Sequence, residues 1–111
     1  MTVSHPIDLF DCLLGTAVSL EQIQPGWKMC LHAKYPARNI FRWYTIRVDK
    51  NLLGEWCLYL SYGRIGHRGQ LKQSFWNDLT LLLRQLKTIL RKRLNAKKRI
   101  GCNYEIVLFV R

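Results

Sequence analysis

The residues best suited to bind a ligand lie in residues 54–70, which read GEWCLYLSYGRIGHRGQ. The stretch begins with the alternation of a β-strand and ends in a glycine-rich loop holding two arginines and a histidine. Tyr62, Gly63 and Arg64 follow one another where the strand ends. An aromatic ring can stack on a base, a glycine lets a ligand approach the backbone, and a guanidinium pairs with phosphate in a planar fork. The triplet therefore places a surface that can stack next to a positive charge.

The same residues also have a structural interpretation. Tyr62 can end the core face of its strand, Gly63 and Gly66 can serve turn geometry, and Arg64 can bond the carbonyls of its loop. His67 is an exposed loop residue without an assigned role. The sequence alone leaves these alternatives open beside the contact role.

The charge of the chain indicates an anionic partner. Lys and Arg number 18 against 7 Asp and Glu, for a formal net charge of +11, and residues 84–99 hold eight basic residues and no acidic one. Such clustering favours DNA, RNA or an anionic membrane surface over a merely solvated face. Arg68 and Lys72 lie close to the triplet in the chain and extend the candidate phosphate-binding set.

Neither a metal site nor an enzyme is expected. The cysteines and histidines are scattered, and the sequence contains no CxxC pair, no P-loop and no dinucleotide fingerprint. The carboxylates form no spaced pair like that of a nuclease metal site. We therefore predict no catalytic residue, no cofactor and no metal.

The chain also has no apolar run of ~18 residues and no basic, apolar leader at its start, so we expect a cytoplasmic protein that does not span a membrane.

The hydrophobic pattern predicts four or five strands and one long helix. Aromatic and β-branched runs bounded by turn residues indicate the strands, and Trp43, Trp56 and Trp76 are expected in the core. Strands joined by short loops form an antiparallel sheet, so the fold class is α+β. The predicted strands are 27–35, 40–50, 55–63, 70–75 and, as a strand or ordered tail, 104–110.

The helix follows the fourth strand. Asn77 is the expected N-cap, with Asp78 at the positive end of the helix dipole, and basic residues before Gly101 mark its C-terminus. A leucine-rich stripe from Leu79 to Leu94 indicates the face that packs on the sheet. This use of the stripe argues against a membrane-surface helix. Cations fall together on an adjacent flank: Arg84, Lys87, Arg91 and Lys98.

The sequence resembles the WGR domain family, named for a Trp-Gly-Arg triplet. The resemblance rests on PARN at 36–39, an aromatic strand, LLGEW at 52–56, GRIG at 63–66, RGQ at 68–70 and a basic helix end before YEIV at 104–107. It covers roughly residues 28–107 and is closest to small bacterial members. The main departure is Tyr62, which stands where the family has Trp.

The resemblance implies a curved antiparallel sheet with a helix on one side. It divides the chain into an N-terminal accessory segment, 1–27, and a WGR-like domain, 28–111. In poly(ADP-ribose) polymerases the domain is similar to a clamp that holds DNA ends. There the aromatic residue of the triplet stacks on a sugar or base, and the arginine contacts phosphate or a neighbouring domain. Tyr62 and Arg64 would carry these roles here.

We therefore expect a non-catalytic nucleic-acid-binding module that does not read sequence and favours ends or nicks, with DNA as the preferred partner and RNA as the open alternative. The alternative is a protein-interaction module that uses the Arg64 loop and a basic face. The candidate nucleic-acid-binding residues are Tyr62, Gly63, Arg64, Arg68, Lys72, Arg84, Lys87 and Arg91.

Overall fold

The computed structural model describes residues 23–110. The expected accessory segment 1–27 lies almost wholly outside them, so its separation from the domain stays a prediction. Five strands and two helices follow in chain order, with a 3-10 turn between the first two strands. The elements are β1 Trp27–Tyr35, the turn Pro36–Arg38, β2 Ile40–Lys50, β3 Trp56–Arg64, β4 Gln70–Trp76, α1 Leu79–Leu94, α2 Lys97–Ile100 and β5 Glu105–Val110.

The strands form one antiparallel sheet in the order β4-β3-β2-β1-β5. The first four strands are a meander of neighbours, because each short loop returns the chain beside the strand before it. β5 comes last in the chain and pairs with β1, with a register shift between Cys30 and Leu31. The predicted α+β class, a sheet with a helix on one side, is confirmed.

One face of the sheet builds the hydrophobic core. Alternate residues of β1 and β2 point to this face, because successive side chains of a strand face opposite ways. α1 covers it with its apolar stripe. Burial of these side chains removes apolar surface from water, which supplies the main free energy of folding. The largest fully buried side chains of this core are Trp27, Met29, Leu31, Ile46, Val48, Leu58, Leu82, Leu86 and Leu90.

Two details of the helix differ from the sequence expectation. The N-cap is Asp78, not Asn77, because the Asp78 carboxylate accepts a hydrogen bond from Thr80 N at 2.9 Å. The long helix is confirmed, but its end differs from the sequence expectation: α1 ends at Leu94, with Asn95 as its C-cap, and a short second helix, α2, begins at Lys97. Gly101 ends α2 in the left-handed conformation at φ 97°. In the part of the chain that the structure describes, neither helix has the length and apolar character needed to cross a bilayer.

Candidate nucleic-acid interface

The glycine loop between β3 and β4 rests on Trp43. This side chain lies on the sheet face opposite the core, where Trp43 pairs with Gly63. Its Nε1 donates hydrogen bonds to Arg64 O at 2.9 Å and His67 O at 3.3 Å. The expectation of a core role for Trp43 is therefore wrong, because the ring supports the loop and fixes its carbonyls.

Glycines at positions 63 and 69 let the two arms of the loop meet over this ring. A Cβ at Gly69 would lie 1.9 Å from Tyr62 O and 2.6 Å from Trp43 Cζ2. A Cβ at Gly63 would lie 2.8 Å from Gly69 Cα. A residue with a side chain at either position would collide with these atoms, so close packing accounts for both glycines. Gly66 instead serves the turn, with φ at 86° and open space around it.

Tyr62 is half-buried on the core face of β3. Its ring stacks on Tyr44 of β2, with centroids 5.6 Å apart and planes 10° apart. From the β4 side, Lys72 Nζ lies 5.8 Å from the ring centroid. The Tyr62 hydroxyl donates to Gln70 Oε1 at 3.2 Å. The ring therefore has neighbours from both adjacent strands, and an incoming base can reach a ring face only if Lys72 moves.

Arg64 is exposed but anchored. Its two terminal nitrogens donate to the Asn39 backbone carbonyl at 3.3 Å and to Asn39 Oδ1 at 3.0 Å. Its Cζ also lies 5.2 Å from the centre of the Phe41 ring. Asn39 adopts the left-handed conformation, φ 56°, which presents both of its oxygens to the guanidinium. These contacts hold the charge of Arg64 at a fixed place beside the loop.

Tyr62, Gly63 and Arg64 line a pocket of about 400 Å³ at this corner of the sheet, called the corner pocket below. Arg42 and Arg93 bring two more guanidinium groups to it. Of the ten described residues that line the pocket, none is Asp or Glu. The others are Asn39, Phe41, Trp43, Tyr44 and Tyr104.

Arg93 enters the corner pocket from α1 between two tyrosines. Its Cζ lies 4.2 Å from the centre of the Tyr44 ring and 5.7 Å from that of Tyr104. Burial raises the pKa of the Tyr44 hydroxyl above its usual 10.0, and the charge of Arg93 opposes that rise. Tyr44 therefore stays neutral at physiological pH, and the pocket keeps its positive charge.

The helix cations expected from the sequence lie elsewhere. At roughly 100° per residue, Arg93 stands about 20° from the core residue Leu86 around the α1 axis. Lys87 stands about 100° away, and Arg84 and Arg91 about 160° and 140° away. Arg84 and Arg91 are exposed, Lys87 is half-buried, and none of the three lines the corner pocket.

The other candidates from the loop region lie nearer to the corner pocket. Arg68 is exposed in the loop, and Lys72 faces the Tyr62 ring. Sequence reasoning missed Arg42 and Arg93. A signal existed for Arg93: it interrupts the apolar stripe of α1, where a charge needs a reason to be partly buried.

Comparison with known proteins gives the family. The WGR domain model matches residues 27–99, about two thirds of the chain. The chain is also 28% identical over 83 residues to the uncharacterized protein y4dW of Sinorhizobium fredii (strain NBRC 101917 / NGR234). The match covers 75% of this chain and 41% of that protein, so the chain spans about two fifths of the relative's length. No solved structure matches. The extent of the family match shows that this chain belongs to the WGR domain family.

Proposed function

We propose that this protein is a non-catalytic module that binds DNA at the corner pocket without reading its sequence. The observation that carries the proposal is the convergence of Arg42, Arg64 and Arg93 on one concave site, with no carboxylate among the described residues that line it. Guanidinium groups form strong, charge-assisted and bidentate hydrogen bonds with phosphate. Membership of a family of nucleic-acid-binding modules supports the same reading.

The binding mode follows from the surroundings of the pocket. The three pocket arginines lie on β2, β3 and α1 at one corner of the sheet, so the proposed contacts to phosphate need no helix in a groove and no contact with base edges. Phosphate contacts from the three pocket arginines, with Arg68 and Lys72 beside them, supply the affinity. These contacts depend on charge and backbone shape, which vary little with sequence.

A preference for strand ends or nicks follows from the size of the corner pocket. A pocket of about 400 Å³ is too small for a duplex, but it accommodates a phosphate with its sugar. An end or a nick presents such a group with its neighbouring base free to unstack. The exposed edge of Tyr62 then lies at the pocket wall, and displacement of Lys72 from the ring provides a stacking surface.

A salt series tests the proposal. Fluorescence anisotropy is measured with a blunt hairpin duplex, a nicked duplex and a closed, end-free dumbbell. With about five phosphate contacts, log affinity should fall against log salt with a slope near −4.5. The blunt and nicked probes should bind more tightly than the dumbbell. A slope near zero contradicts phosphate binding, and equal affinity for all three probes contradicts the end preference.

A protein-interaction module is the second candidate, and one observation favours it. Leu71 and Phe75 are 63% and 56% exposed on β4, which lies at the edge of the sheet. An exposed apolar edge strand is a common docking surface for another polypeptide. Capture of one defined protein after nuclease treatment, together with no gel shift of any DNA probe, would favour this candidate over the first.

A further inference from the structure

A second pocket, of about 390 Å³, includes His32 and Lys34 of β1, which alternate with the core residues Leu31 and Ala33 and so face away from α1. Its lining includes Lys34 from β1, Lys97 from the start of α2, and Gly101 and Asn103 from the segment before β5. Lys34 and Lys97 are exposed, and Glu105 is the one carboxylate among the described residues that line this pocket. The site therefore carries a modest positive charge.

The two pockets are immediate neighbours. Lys34 of the second pocket pairs directly with Phe41 of the corner pocket across β1 and β2. Asn103 lines the second pocket, and the next residue, Tyr104, lines the corner pocket. The two linings therefore meet at the ends of β1 and β2, next to the turn Pro36–Arg38, although Tyr44, Tyr62 and Arg93 place most of the corner pocket on the α1 side of the sheet.

A further cation lies where the linings of the two pockets meet. Arg38 ends the turn Pro36–Arg38, is exposed, and has its Cζ 5.8 Å from the centre of the Tyr35 ring. Gly101 lies against the same ring, where an added Cβ would be 2.8 Å from Tyr35 Cε2. Because Gly101 has no side chain, this residue places no atoms beyond its backbone between the second pocket and Arg38.

We propose that a single strand of nucleic acid continues from the corner pocket, over Arg38, into the second pocket, where Lys34 and Lys97 bind its phosphodiester backbone. The proposal rests on the proposed function, since the corner pocket must first hold the strand end. Three exposed cations in sequence along one path suit a polyanionic chain, because each can neutralise a phosphate without fixing the bases. Glu105 opposes the strand and limits its affinity.

The test compares a blunt hairpin duplex with the same hairpin bearing a single-stranded overhang of about 8 nucleotides, within the range of site sizes of single-strand-binding folds. The full-length protein should bind the overhang probe more tightly than the blunt probe. Three added phosphate contacts to a single strand, from Arg38, Lys34 and Lys97, should make its salt slope steeper by about 2.1. In K34Q/K97Q about 1.4 of this additional slope should disappear, while affinity for the blunt probe stays equal to that of a charge-matched control, K50Q/K92Q.

Glu105→Gln should change affinity for the overhang probe in the opposite direction to K34Q/K97Q. Removal of the carboxylate should raise affinity for the overhang probe and leave affinity for the blunt probe unchanged. If K34Q/K97Q and K50Q/K92Q lose affinity for the overhang probe equally, or if Glu105→Gln changes neither probe, the strand path is wrong. If the wild-type protein binds neither probe, the proposed function itself fails, and the two failures are thereby distinguished.

Discussion

At the scale of single residues, Tyr62 combines a packing role with a proposed contact role. The ring closes one side of the corner pocket and stacks on Tyr44, so the core alternative from the sequence applies to it, while the ligand contact stays a prediction. Tyrosine offers less ring area than the Trp of the family triplet. Stacking on a base should therefore be weaker than with Trp, but it is retained.

Two substitutions of Tyr62 distinguish the contribution of the ring to DNA binding from that of the hydroxyl. Tyr62→Ala should weaken DNA binding about tenfold, because loss of a stacked aromatic costs ~1–3 kcal/mol per base. Tyr62→Phe keeps the ring and loses only the hydrogen bond to Gln70, so it should bind nearly as well as the wild type. Anisotropy titrations measure both, with thermal melts to confirm folding. Equal loss in the two variants would contradict a stacking role.

Gly69 should tolerate substitution far less well than Gly66. Gly69→Ala forces a Cβ against Tyr62 O and the Trp43 ring, and such overpacking costs about 1–3 kcal/mol or more. Gly66→Asn is the matched control, since asparagine tolerates positive φ and the site has open space. Urea unfolding measures the free energies of unfolding. Similar values for the two variants would show that the loop does not pack on Trp43 as described.

Tyr44 should make the stability of the fold fall at alkaline pH. Its folded-state pKa is raised by burial, so its contribution is fully present below pH 10.0. As pH rises further, the unfolded chain releases the phenolic proton first, and the folded state loses free energy relative to it. The difference in unfolding free energy between wild type and Tyr44→Phe should therefore shift against the wild type above this pH. A difference that stays constant from neutral to strongly alkaline pH would contradict the raised pKa.

At the scale of elements, the strands were predictable, and most strand ends agree with the sequence to within a residue. The reason is physical: alternation of apolar and polar residues and the turn signals at Pro36, Asn51 and Gly54 are local properties. The partner of β5 was not predictable, because the pairing of β1 with β5 depends on where α1 and α2 return the chain. The break at Asn95 also escaped prediction, since the basic run continues through it.

The helix cap offers a test at this scale. Asp78→Ala should lower the free energy of unfolding by about 1 kcal/mol, because the carboxylate satisfies Thr80 N at the start of α1. Asn77→Ala should change stability by much less. Urea unfolding of both variants measures the difference, and a larger loss from Asn77→Ala would restore the cap predicted from the sequence.

At the scale of the whole molecule, the distribution of charge matters more than its total. The net charge of +11 predicted an anionic partner but not its place on the surface. Spacing along α1 grouped Arg84, Lys87 and Arg91, yet the fold brings Arg42 and Arg93 to the triplet instead. Those contacts join residues far apart in the chain, so they follow from strand pairing and helix docking. Arg42 has no local sequence signal, and Arg93 has one only in its place within the apolar stripe of α1.

The most direct test of the central claim compares two variants of equal charge on a short blunt duplex. R42Q/R64Q removes two cations from the corner pocket, and R84Q/R91Q removes two from the far side of α1. The salt slope of R42Q/R64Q should fall by about 1.8, while that of R84Q/R91Q should stay close to the wild-type slope. Equal reductions in the two variants would show that the charge acts from the whole surface, and would contradict a localised site at the corner pocket.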